Sequence, residues 1–167
     1  MRKPKQFKSV DLFPTLDEAI SWLPSASESK EGALCPCCLK FNKVYHRNIS
    51  ISTIKALFRL YRLNENMAGS YHSREFTASH SGGDFAKVAS LGLFHKIRNE
   101  DTKKKHSGYW LITDSGKEFC RGKLQIQEKL VIYQNKLVGT EGEFKYISDF
   151  WPNFDYGEMM NNGSIDE

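Results

Sequence analysis

Apolar positions along the chain alternate between helical and strand spacing. Thr15 and Glu18 form a capping-box pattern, and Leu16, Ala19, Ile20 and Leu23 follow at helical spacing. This predicts a short amphipathic helix, stopped by Pro24 and docked on the core. Lys43–Arg47 reads as extended. Ile54, Leu57, Phe58 and Tyr61 mark the buried face of a longer helix over 52–63, started by Ser50 or Ser52. A weakly periodic helix over 73–79 comes next. Gly82-Gly83 allows a sharp turn, Asp84 can cap, and Phe85, Val88 and Ala89 give a helix over 82–91 that ends at Gly92. Residues 94–97 and 108–113 read as two strands, the second rich in aromatic and β-branched residues. A closing helix over 114–121 would turn Phe119 inward, with Cys120 as a small buried hydrophobe. Leu130–Tyr133 and Leu137-Val138 flank Gln134-Asn135-Lys136 as a β-hairpin, and 143–147 can add a strand.

These elements divide the chain into four segments. Residues 1–32 hold a basic arm, the first helix and a polar linker. Residues 33–122 form the main domain, with a cysteine cluster at its start. Residues 123–156 form a β-hairpin appendage, and 157–167 a disordered acidic tail. There is no internal repeat.

Charge sharpens this picture. The formal net charge is +4, yet from Thr140 onward there are seven acidic residues and one lysine, which leaves +10 on the rest. Residues 33–64 contain no Asp or Glu but carry Lys40, Lys43, Arg47, Lys55, Arg59 and Arg62. Lys103-Lys104-Lys105-His106 lies in the loop between the two predicted strands. Such asymmetry points to a polyanion-binding body with an acidic tail, or to ordinary solvated surface charge. No apolar run approaches the length of a membrane span. The basic N-terminus lacks the apolar stretch of a secretory signal, so a cytoplasmic protein is expected.

Cys35-Pro36-Cys37-Cys38 has the spacing at which Cys35 and Cys38 can aim two thiolates at one zinc ion. A second such pair is absent, and Cys37, His46, His72, His80 and Cys120 are the remaining soft donors considered. Inert reduced thiols are the alternative. A redox pair lacks its βαβ context. Phosphate-loop, dinucleotide-binding, zinc-protease and nucleophile-elbow motifs are all missing, so a non-enzymatic protein is expected.

A basic loop joining two strands directly behind a short helix resembles a winged helix-turn-helix. The likeness extends to the Leu91-Gly92-Leu93 step and to Thr113-x-x-Gly116-x-x-Phe119, as in MarR-like and phage-encoded winged-helix proteins. It covers roughly 35–122, and Cys35-Pro36-x-Cys38 resembles part of a zinc knuckle. The resemblance implies an α+β fold: a winged helix-turn-helix core, an N-terminal cysteine-containing segment and a C-terminal β-hairpin appendage. It implies a duplex-DNA-binding phage or prophage regulator or replication accessory, located in the host cytoplasm. His80, Ser81, Gly82, Gly83 and Lys87 would face the major groove. Lys103, Lys104, Lys105 and His106 would meet the backbone or minor groove, with Lys55, Arg59 and Arg62 as further phosphate contacts. The alternative is a protein-interaction module that binds a host protein through the C-terminal hairpin. Either form could act as a homodimer.

Overall fold

The computed structural model describes residues 15–77, 84–98, 107–161 and 165. The fold is mixed α+β, with short antiparallel sheets and several helices. Among the described residues no helix is long and apolar enough to cross a membrane. The chain divides into two compact units. One holds residues up to His46 plus Val131–Gly139, and the other holds Arg47–Leu130 and Thr140 onward. The cysteine cluster lies in the first unit and the long helix in the second, and the residues of the C-terminal hairpin are divided between the two units.

In the first unit, α1 (Leu16–Ser27) starts on the expected capping box. Thr15 Oγ1 accepts from the Glu18 N–H at 3.2 Å, and Glu18 Oε2 accepts from the Thr15 N–H at 3.1 Å. The helix runs through Pro24 instead of stopping there. Proline keeps a helix-compatible φ and removes one donor. Ser25 and Ser27 hydroxyls donate to the Trp22 and Leu23 carbonyls in that turn. The expected apolar face is only partly used: Ala19 is buried, whereas Leu16 and Ile20 are exposed. Next, β1 (Ala33–Leu34) pairs antiparallel with β2 (Phe41–Asn42).

Strand β3 (Val44–Asn48) leads to α2 (Ile51–Asn66), capped by Ser50, whose hydroxyl accepts from the Thr53 N–H. Ile54, Ala56, Leu57, Phe58, Leu60 and Tyr61 are buried, so α2 is the central helix of the second unit. After it come β4 (Tyr71–His72), α3 (Ser73–Phe76) and α4 (Asp84–Val88). The last of these continues into a single 3₁₀ turn, Ala89–Leu91. Then follow β5 (Phe94–Lys96), β6 (Tyr109–Ile112) and α5 (Asp114–Cys120). The strands form one antiparallel sheet in the order β4-β6-β5, with Tyr71 opposite Trp110 and Phe94 opposite Ile112. Strand β4 was not anticipated, because two residues are too few to show an alternation.

The rest is β7 (Ile126–Tyr133), β8 (Lys136–Lys145), α6 (Ile147–Phe150) and α7 (Tyr156–Asn161). Gln134 and Asn135 both have positive φ, as a two-residue hairpin turn requires. Strand β8 absorbs the separate strand expected over 143–147, and Ile147 starts a helix instead. A second sheet has the order β3-β7-β8.

Disorder was expected from 157 onward; among the described residues there, 157–161 is helical and Ile165 is buried. An aromatic cluster supplies the reason. Phe58 meets Trp151, Phe154 and Tyr156 edge-on at 5.9, 5.2 and 6.3 Å. The Tyr61 and Tyr156 hydroxyls share a 2.7 Å hydrogen bond. This packing anchors the chain just before residue 157, where α7 starts.

Candidate nucleic-acid interface

The chemistry-bearing part of the second unit rests on one aromatic stack. Phe85, from α4, stacks on Phe94 of β5 at 4.1 Å. It also meets Phe76 of α3 at 5.2 Å and Trp110 of β6 at 5.5 Å. A single side chain thus ties both short helices to the sheet. Burying it stabilises the unit by about 1.5–3 kcal/mol. Gly92 takes the left-handed conformation that ends the helical segment, with φ of 77°. Thr113 then locks the far strand. Its N–H donates to the Leu93 carbonyl at 3.0 Å, and its hydroxyl donates to the Gly92 carbonyl at 2.6 Å. The same Oγ1 accepts from the Gly116 N–H at 3.1 Å and so caps α5.

This frame holds β5 and β6 in register. His95 lies opposite Leu111 and Lys96 opposite Trp110. Beyond the ladder, Ile97 N–H donates to the Tyr109 carbonyl at 2.9 Å, and the Ser107 hydroxyl donates to the Ile97 carbonyl at 2.5 Å. His95, Lys96 and Arg98 are exposed along this strand. The Lys96 ammonium sits 5.7 Å from the Trp110 ring centroid. Sequence reasoning assigned the charge to the loop and overlooked these three. Their signal was the alternation of 94–97 itself, which puts His95 and Ile97 on one face and Lys96 on the other.

The expected site residues fare differently. His80, Ser81, Gly82, Gly83, Lys103, Lys104, Lys105 and His106 lie outside the described residues, whereas Asp84, expected as a cap, is the first residue of α4. Lys87 is half-buried on α4. Lys55, Arg59 and Arg62 do not form an open basic stripe, because each is half-buried and engaged by protein. Lys55 lies over the Trp151 ring at 5.2 Å. Arg59 donates to the Phe76 carbonyl at 3.5 Å, and Arg62 donates to the Met159 carbonyl at 3.1 Å. They join the second unit's own segments together. Arg121 does similar work: it donates to the Tyr61 hydroxyl at 3.1 Å and pairs with Glu65 and Glu118. Burial and the hydrogen bond with Tyr156 push the Tyr61 phenol far above its ordinary value.

The cysteines form a separate feature of the first unit. Cys35 N–H donates to the Lys40 carbonyl at 2.8 Å, and Leu39 N–H donates to the Cys35 carbonyl at 2.8 Å. Leu39 has φ of 58°, which completes the tight turn between β1 and β2. The Cys38 and Cys37 N–H groups donate to the Cys35 sulfur and hold its pKa below the ordinary thiol value. Desolvation, then the neighbouring Cys35 charge, pushes the Cys37 thiol up. All four cysteines are free thiols, and Cys120 is buried, where desolvation keeps it a neutral thiol. Among the described residues no cluster of three or more His, Cys, Asp or Glu could hold a metal.

No family of proteins, no characterised protein and no solved structure matches this chain.

Proposed function

We propose that this chain is a winged helix-turn-helix protein that binds duplex DNA and carries out no chemistry of its own. Supporting the fold reading is the order α2, β4, α3, α4, β5, β6, together with a sheet in which β6 lies between β4 and β5. In such a fold the second helix of the pair meets base edges and the strand loop meets the backbone. The observation that carries the reading is the antiparallel β5–β6 pair. It displays His95, Lys96 and Arg98 and is joined by a sequence with four consecutive basic positions, Lys103 to His106. On this reading His80, Ser81, Gly82, Gly83 and Lys87 are the base-edge group, and Lys103, Lys104, Lys105 and His106 the phosphate group. Lys55, Arg59 and Arg62 serve the protein's own packing. The biological role is that of a regulator or replication accessory.

The test is a mobility shift on random-sequence duplex at two salt concentrations. Binding that weakens steeply with salt supports the reading, because each neutralised phosphate releases counterions. Replacing Lys87 or His80 by Ala should change sequence preference, whereas replacing Lys96 together with Arg98 should weaken binding to all sequences alike. A second reading is a protein-interaction module. It is favoured by Phe144 and Tyr146, which stand exposed at the end of β8. Absence of salt-dependent duplex binding would put it first.

A further inference from the structure

The turn at Cys35–Leu39 carries Cys35 and Cys38 at the spacing of a zinc-knuckle pair. Zinc in structural sites is almost always held by four ligands in a tetrahedron. The turn offers two in ordered form. Its backbone is fixed by the Cys35 N–H donating to the Lys40 carbonyl, by the Leu39 N–H donating to the Cys35 carbonyl, and by the left-handed Leu39. Two of the other soft donors are committed elsewhere. Cys120 is buried in the second unit. His72 is held at the start of α3, where its Nδ1 accepts from the Arg74 N–H, and its ring packs edge-on against Tyr109. Among the described residues no third donor joins the pair.

The surroundings suit a second copy. Cys37 and Cys38 are exposed at the tip of the hairpin. Leu39 beside them is 64% exposed and Phe41 43% exposed, an apolar rim on the same turn. Residues 33–64 lack any carboxylate, and Lys40 and Lys43 follow the cysteines in sequence, which suits the charge that four thiolates bring. Two identical turns supply four thiolates, which is a complete zinc set, and they place two apolar rims against each other.

We propose that Cys35 and Cys38 of two copies of this chain hold one shared zinc ion, making the hairpin tip a metal-dependent dimer contact. Each zinc–sulfur bond forms with release of the thiol proton, and no electron is transferred. Cys37 stays a thiol outside the ligand set.

The experiment uses the full chain, purified under reducing conditions without chelator. Metal content and sedimentation are measured together, and cobalt(II) is used as a spectroscopic probe. The proposal expects one zinc per two chains, a dimer that a chelator converts to monomers, and a cobalt spectrum of four thiolates in tetrahedral geometry. Cys35→Ser and Cys38→Ser should each abolish both metal and dimer, with the folded state checked by circular dichroism. Cys37→Ser should retain both. A third check is His80→Ala and His106→Ala, which should leave metal content unchanged. One zinc per monomeric chain, or loss of metal in either histidine variant or in Cys37→Ser, overturns the shared site. So does metal-free folded protein in which both Cys35 and Cys38 are freely alkylated. DNA binding by the chelated monomer is a separate readout, so failure here leaves the duplex-binding reading standing.

Discussion

Gly116 provides the sharpest test of how the second unit is assembled. A Cβ added there would stand 2.0 Å from the Leu93 carbonyl oxygen and 2.8 Å from Ile112 Cγ1. A carbon–oxygen contact needs about 3.3 Å, so the α5 backbone and the Leu93 peptide would have to separate by more than about 1 Å. That oxygen also accepts the Thr113 N–H at 3.0 Å, the bond that closes β5 onto β6. Three terms decide the outcome for Gly116→Ala. Helix propensity favours alanine by about 1 kcal/mol. Overpacking costs about 1–3 kcal/mol. Losing the Thr113 hydrogen bond costs about 1 kcal/mol more. The net expectation is destabilisation by about 1–3 kcal/mol. Urea denaturation followed by the fluorescence of Trp110 and Trp151 measures it. Gly69→Ala is the control, since nothing lies within 4 Å of its added Cβ. It should change stability by no more than about 0.5 kcal/mol. If Gly116→Ala were as stable as the parent, the close approach of α5 to Leu93 would be wrong.

Two further predictions concern polar contacts. Tyr61→Phe removes a buried hydroxyl bonded to Tyr156 and Arg121, and should cost about 1–2 kcal/mol in the same denaturation assay; no loss would mean that the network contributes nothing net. Glu128 is held below its ordinary carboxyl value chiefly by its hydrogen bond from Lys145, so its stabilising contribution is full above 4.5 and disappears as pH falls through the lowered value. Lys145 is raised by the same contact, and its contribution is full below 10.5 and lost as pH rises through the raised value. Glu128→Gln should flatten both limbs of the stability–pH curve, and an unchanged acid limb would refute the pairing.

Much of the second unit could be read from period alone. The long helix, the Gly92 stop and the 94–97 and 108–113 strands all follow from local spacing and appear within a few residues of the expected bounds. The motif Thr113-x-x-Gly116-x-x-Phe119 also has a local logic: a cap, a close approach and a core anchor. What escaped depends on distant partners. The basic residues of α2 looked like a phosphate stripe because the Met159 carbonyl that engages Arg62 lies 97 residues away in sequence. The C-terminal segment looked disordered from its polar composition, whereas the helix it belongs to starts at Tyr156, which packs on Phe58, and Arg62 donates to its Met159 carbonyl. Helix α1 continues past Pro24, where a stop was expected. Strand β4 has only two residues, too few for any pattern.

Duplex binding by the strand pair and its loop is the central claim, and a salt titration tests it most directly. Fluorescence anisotropy of a labelled random-sequence duplex is followed at several salt concentrations. The parent is compared with a folded variant in which Lys103, Lys104 and Lys105 are all replaced by alanine. Each phosphate neutralised steepens the dependence of log K on log salt by about 0.9. The parent should bind with steep salt dependence. The variant should bind every sequence more weakly, with a slope flatter by about 2–3. An unchanged affinity and slope in the variant, or no salt-dependent binding by the parent, would contradict the account.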